Sequence, residues 1–236
     1  MVLVKRICPP ERRKAIIAVS ATPSTPTLSV SESDTSPPFQ LRISLRIAET
    51  TRPGHAITIR TDGTVFCPSV RGDEGGEDSL DTAARGTISL VSTTDPSSRR
   101  ISLGKFLTHE ARREDPPPDM KDQSWVHLLT IPAEGSVEVT HDLPISRLFL
   151  HEHKLTRDDV VGETWRLGLN DGYVGTTWWC WGDLEGDLAG KHLSPWHEGM
   201  RVSPKPEVGE DWVLGLQPME LVFQDQSEDG AFQFVD

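Results

Sequence analysis

Three observations predict an all-β fold for this 236-residue chain. Apolar and polar residues alternate in short runs, as where Leu41, Ile43, Leu45 and Ile47 are interleaved with Arg42, Ser44 and Arg46, the signature of strands with one wet face. Turn-forming Asp, Asn, Gly and Pro punctuate those runs. Helical periodicity is almost missing, so strands must pack on strands in a sandwich or barrel. No internal repeat of propeller or solenoid length recurs.

Taken in order, residues 1–36 read as a flexible segment, because the Ser/Thr/Pro density of residues 20–38 buries too little apolar surface to offset ordering. Ala15 to Val19 is the one stretch there that could dock as a strand. The folded domain then spans 37–236. After the run from Phe39, Ile57 and Ile59 lead into Asp62-Gly63, a two-residue hairpin turn returning through Val65 and Phe66. Residues 71–86 form an acidic loop. Ile88 and Leu90, the Asp95-Pro96-Ser97-Ser98 turn, then Ile101 and Leu103 predict a second hairpin. Trp125, His127, Leu129 and Ile131 share a face, Glu134-Gly135 turns, and Val137 and Val139 return. Trp165, Leu167 and Leu169 alternate before Asn170-Asp171-Gly172 and the segment Tyr173 to Gly182. Asp183 to Gly190 is the one good helix candidate, with Asp183 as N-cap and Gly190 as terminator. Trp212 to Leu216, Met219 to Phe223, and Phe232 with Phe234 supply the last strands.

Composition excludes several functions. Lys and Arg number 24 against 36 Asp and Glu, a net charge of −12, which disfavours nucleic acid and anionic membrane surfaces as partners. Basic residues gather at 5–14, and none follows Lys205 among the closing acids, so the two ends are either separately solvated or clasped together. Three cysteines without C-x-x-C spacing make neither a disulfide framework nor a zinc ribbon. No signal-like leader and no membrane-length apolar run is present, which points to the cytoplasm. P-loop, dinucleotide-binding, Gly-x-Ser-x-Gly and His-Glu-x-x-His motifs are all missing. No cofactor is expected.

The candidate site centres on Trp178, Trp179 and Trp181, three of the chain's seven tryptophans. In a strand, Trp178 and Cys180 face one way, Trp179 and Trp181 the other. With Trp178 inward, Trp179 and Trp181 could line a cleft together with Tyr173, Trp196, Trp125 and His127, or could instead cover a sheet edge. Asp183 and His192 are the candidate catalytic groups, since a desolvated carboxylate suits general-acid chemistry. His127, alone on an apolar face, equally fits a hydrogen-bonded core histidine. His151-Glu152-His153 with Asp158 or Asp159, and the acidic residues 73–81, are weaker metal candidates, read as solvated loops.

The succession Leu41-Arg-Ile-Ser-Leu-Arg-Ile47, Ala56-Ile-Thr-Ile-Arg-Thr-Asp-Gly-Thr-Val-Phe66, Gly135-Ser-Val-Glu-Val-Thr140 and Val161-Gly-Glu-Thr-Trp-Arg-Leu-Gly-Leu169 resembles a loose group of fungal intracellular proteins with an immunoglobulin-like β-sandwich, over roughly residues 39–182. The resemblance implies that fold, here about nine to eleven strands, and a fungal source. It transfers no catalytic residue. The combined expectation is a cofactor-independent cyclase or isomerase of fungal secondary metabolism, holding a hydrophobic small molecule in a reactive conformer against the Trp wall. The alternative is a non-catalytic interaction module, for which exposed tryptophans are typical anchors.

Overall fold

The computed structural model describes residues 8–31, 39–62, 64–67, 88–97, 99–102, 119–124, 126–143, 145–149, 154–169, 175–200, 209–227 and 230–236. Within them the chain is all-β, with fourteen strands in four sheets where about nine to eleven were expected, because short edge strands such as Thr27–Ser29 and Arg100–Ser102 add to the count. One single-turn α-helix, Ile145–Leu148 (α1), and four 3-10 turns complete it. No helix among the described residues is long and apolar enough to cross a membrane.

The first sheet places Ala15–Pro23 (β1) between Gln40–Thr50 (β3) and Leu221–Asp225 (β13), with Val137–Asp142 (β8) beyond β3. β1 runs antiparallel to β3 and parallel to β13. The alternation foreseen for β3 is observed: Leu41, Ile43 and Leu45 are fully buried, Arg42 and Arg46 exposed. The second sheet orders Thr27–Ser29 (β2), Ala231–Val235 (β14), Thr164–Leu169 (β9), Ile88–Ser92 (β5) and Arg100–Ser102 (β6). Its β5–β6 hairpin pairs Leu90 with Ile101, as the turn at Asp95 predicts. Leu103 lies outside the described residues.

One apolar core joins these sheets. Ile17, Val19, Leu41, Ile43 and Phe223 from the first share it with Leu90, Trp165, Leu167, Phe232 and Phe234 from the second. A small third sheet, Trp179–Trp181 (β10), Ile57–Arg60 (β4) and Leu128–Ile131 (β7), contributes Ile57, Ile59, Ile131 and Trp179. Across the two large sheets Arg166 Nη1 meets Asp225 Oδ2 at 2.8 Å, and Asp225 also accepts from the N–H of Leu169 and of Ser227.

Four expectations need correction. Residues 1–36 are not one flexible leader: β1 is an inner strand with Ile17 and Val19 fully buried, and β2 edges the second sheet. The Ser/Thr/Pro average conceals the apolar run Ala15 to Val19, which flanking strands cover on both sides. Residues 1–7 and 32–38 lie outside the described residues. Val65 and Phe66 do not pair back on β4; they are buried in successive turns, with Thr64 N–H donating to Thr61 O and Cys67 N–H to Thr64 O. Gly135, at φ 85°, does turn the chain, yet β7 joins β4 while β8 joins β3, so the turn switches sheets instead of closing a hairpin. Residues 184–190 form consecutive turns, not a helix. The Asp183 carboxylate does cap as expected, taking the N–H groups of Glu185 and Gly186 at 2.8 and 3.0 Å. But glycine at 186 weakens a helix, and the backbone closes in three-residue turns, Gly186 N–H to Asp183 O and Ala189 N–H to Gly186 O.

Candidate functional site

The Trp strand is framed by backbone pairing on one side and a two-stranded ribbon on the other. Trp179, Cys180 and Trp181 pair antiparallel with Ile59, Thr58 and Ile57. Beside β10 lie His192–His197 (β11) and Trp212–Gly215 (β12), which are parallel to each other. Leu216 N–H donates to Trp179 O at 2.7 Å, tying the end of the ribbon to the strand. Thr58 Oγ1 donates to Gly182 O at 2.8 Å and fixes the strand's exit.

The two faces foreseen from the alternation exist, and the protein covers both. Trp179 is fully buried in the main core. Its indole N–H donates to Gln217 O at 2.9 Å, and it meets Trp181 edge-on at 5.2 Å between ring centroids. On the opposite face Trp178 and Cys180 pack with Met120, Leu188 and Leu193 into a separate small core. Trp178 Nε1–H donates to Trp196 O at 3.2 Å. Its ring lies so close over Gly215 that a Cβ there would overlap the indole nitrogen. Burial pushes the Cys180 thiol up to about 12, so it carries no nucleophilic thiolate at neutral pH.

The remaining candidates scatter. Trp181 is half-buried, and the Arg52 guanidinium sits 5.7 Å from its ring centroid, a cation–π contact that no spacing in the sequence announces. Asp183 is half-buried and engaged in the local turn. His192 stacks on Trp212 with centroids 4.1 Å apart and planes 9° from parallel. Trp196 is buried, presenting its carbonyl to Trp178. His127 is half-buried, and its carbonyl accepts from Thr61 N–H at 2.8 Å. Tyr173, Trp125 and the His151–His153 and 73–81 metal candidates lie outside the described residues. Among the described residues no group of three or more His, Cys, Asp or Glu could hold a metal ion.

Sequence reasoning missed the second core. Leu188 reaches Trp178 from the turns and Leu193 from β11, while the Met120–Asp122 turn arrives from a distant stretch. Asp119 bonds both elements, its Oδ1 accepting from Lys121 N–H at 3.0 Å and from Leu193 N–H at 3.1 Å. Lys121 Nζ–H in turn donates to Lys191 O. The Leu184/Leu188 spacing was the available signal for the buried side of the turns.

On the ribbon, Leu193 and Val213 face the small core, whereas Trp212 and Leu214 alternate to the other side. Leu214 is 37% exposed, one of only two large apolar side chains so exposed among the described residues. Glu210 and Asp211, both exposed, immediately precede Trp212. Compared with known families, with curated proteins and with solved structures, the chain finds no match.

Proposed function

We propose that the protein is a non-catalytic interaction module on an immunoglobulin-like β-sandwich, binding through the outer side of the β11–β12 ribbon. The observation that carries this reading is the closure of both faces of the Trp strand by the protein's own cores. Trp179, the central wall of the imagined cleft, is fully buried with its N–H satisfied internally. Apolar surface is instead offered at Leu214, beside the His192–Trp212 stack and the carboxylates of Glu210 and Asp211. That combination suits a polypeptide presenting an aliphatic or aromatic side chain flanked by basic ones: the apolar anchor supplies affinity, the charge pairing orientation. The fungal resemblance and a cytoplasmic setting belong to the same reading.

A second reading keeps the cofactor-independent cyclase or isomerase acting on a hydrophobic small molecule. It is favoured by Trp181, which is only half-buried and stands two residues before Asp183. Native mass spectrometry of the protein recovered gently from its own cells separates the two. A polypeptide partner lost in Trp212→Ala and Leu214→Ser variants supports the module. A bound small molecule lost in Trp181→Ala, with the ribbon variants unaffected, would replace it with the enzyme.

A further inference from the structure

We infer that Thr25 is a phosphorylation site for a proline-directed Ser/Thr kinase, and that its modification releases strand β2 from the second sheet. Two Thr-Pro pairs stand close together, Thr22-Pro23 and Thr25-Pro26. Both threonines are exposed, but their backbones differ. Thr22 lies inside β1, in the ladder opposite Arg42, and a kinase cleft cannot take up a residue still laddered into a sheet. Thr25 belongs to the bend between β1 and β2, where residues 24–27 are all exposed. Pro26 fixes the backbone after it and offers no N–H, the feature by which a proline-directed kinase selects its substrate.

The local bonds give the modification a consequence. Thr25 Oγ1 donates to Thr27 O at 2.7 Å, and Thr27 is the first residue of β2. β2 has three residues, lies at a sheet edge and, among the described residues, pairs only with β14, as Thr27 with Gln233, Leu28 with Phe234 and Ser29 with Val235. Two backbone bonds frame it, Gln233 N–H to Pro26 O at 2.9 Å and Val30 N–H to Val235 O at 2.8 Å. In the reaction the γ-phosphoryl group of ATP moves to Oγ1. The new O–P bond forms as the bond to ADP breaks, and the hydroxyl proton passes to the kinase's base. The product has no hydroxyl to donate, and it sets close to two negative charges against the carbonyl that the hydroxyl formerly bonded. The strand start is therefore pushed away from β14. Peeling β2 bares the β14 edge and the buried Val30, an unpaired strand to which another chain can add.

The test incubates the folded full-length protein with ATP and a proline-directed kinase, then maps sites by fragment mass spectrometry and follows amide exchange. A phosphate mapped to Thr25, lost in Thr25→Ala and retained in Thr22→Ala, is expected, independently of any at the Ser36-Pro37 and Ser203-Pro204 pairs. The amides of Val30 and Gln233, which bond across to Val235 and Pro26, should then exchange at least tenfold faster, and more so than in Thr25→Val, which removes the hydroxyl without adding charge. Phosphorylation only of heat-unfolded chain would overturn the site. A modified protein whose Val30 and Gln233 amides exchange as before, or no faster than in Thr25→Val, would overturn the release.

Discussion

Lys14 and Glu220 are joined twice: Lys14 N–H donates to Glu220 O at 2.7 Å, and Lys14 Nζ lies 2.6 Å from Glu220 Oε2. The pair locks the entry of β1 to the entry of β13 just before Ala15 meets Leu221. Arg12 Nη2 adds a bond to Gln217 Oε1 at 3.1 Å. Of the two readings of the oppositely charged ends, these contacts are those of a clasp. Glu220 is mostly covered and Lys14 about one-third exposed, so the coupling sits near the upper end of the surface range. A double-mutant cycle with Lys14→Met and Glu220→Gln should give about 1 kcal/mol; urea melts measure it, and additive single effects would show a dispensable contact.

Removing β1 should abolish the fold. A chain starting at Pro37 loses an inner strand and the buried Ile17 and Val19, leaving β3 and β13 without their common neighbour. Loss of cooperative thermal unfolding by circular dichroism is the expected result, whereas a melt matching the full-length protein would return β1 to the status of a loose leader.

The three tryptophans should separate by burial. Trp178→Ala and Trp179→Ala each delete a covered indole and should each cost about 3–5 kcal/mol. Trp181→Ala, half-exposed, should cost about 1 kcal/mol or slightly more, including its contact with Arg52. Chemical denaturation of the three variants orders them.

Cys180 gives a pH dependence of definite sign. Its folded thiol titrates at about 12 instead of the ordinary 9.0, because burial disfavours the thiolate. A group raised in the fold stabilises it fully below the unfolded pKa and less as pH climbs toward the folded one. The stake is about 4 kcal/mol, present up to roughly pH 9 and lost progressively to pH 12. Wild type should therefore lose more stability between pH 8 and 11 than Cys180→Ala does. Equal slopes would show that the thiol gains solvent before unfolding.

Thiol labelling tests the same burial kinetically. Cys8 and Cys180 are buried and raised by desolvation, while Cys67 is half-buried. A disulfide-exchange reagent at pH 8 should modify Cys67 first, and the other two at the rate of unfolding. Mass spectrometry of the labelled peptides reads out the order.

Local signals in the chain were legible where one stretch decides its own structure. The alternation of β3 and β9 and the hairpin joining β5 to β6 depend on neighbours in sequence. Partner choice does not. Glu134-Gly135 specifies a turn, but nothing near it says that β7 will follow β4 and β8 will follow β3. The Trp strand failed for the same reason: alternation separates its two faces, while the cover over Trp178 comes from Met120, Leu188 and Leu193, outside that strand. Asp183 was legible as a capping residue, but the glycine three residues on favours turns where the apolar spacing suggested a helix.

The parallel pairing of β1 with β13 also imposes an order on synthesis. A chain made from its N-terminus can pair β1 with β3 early, yet the opposite edge of β1 must wait for about 200 further residues. Until then Ile17 and Val19 sit in a strand with one open side, a nascent surface prone to joining other chains. The clasp at Lys14 is thus among the last contacts to form, and a ribosome stalled before residue 221 would hold a chain that chaperones must shield.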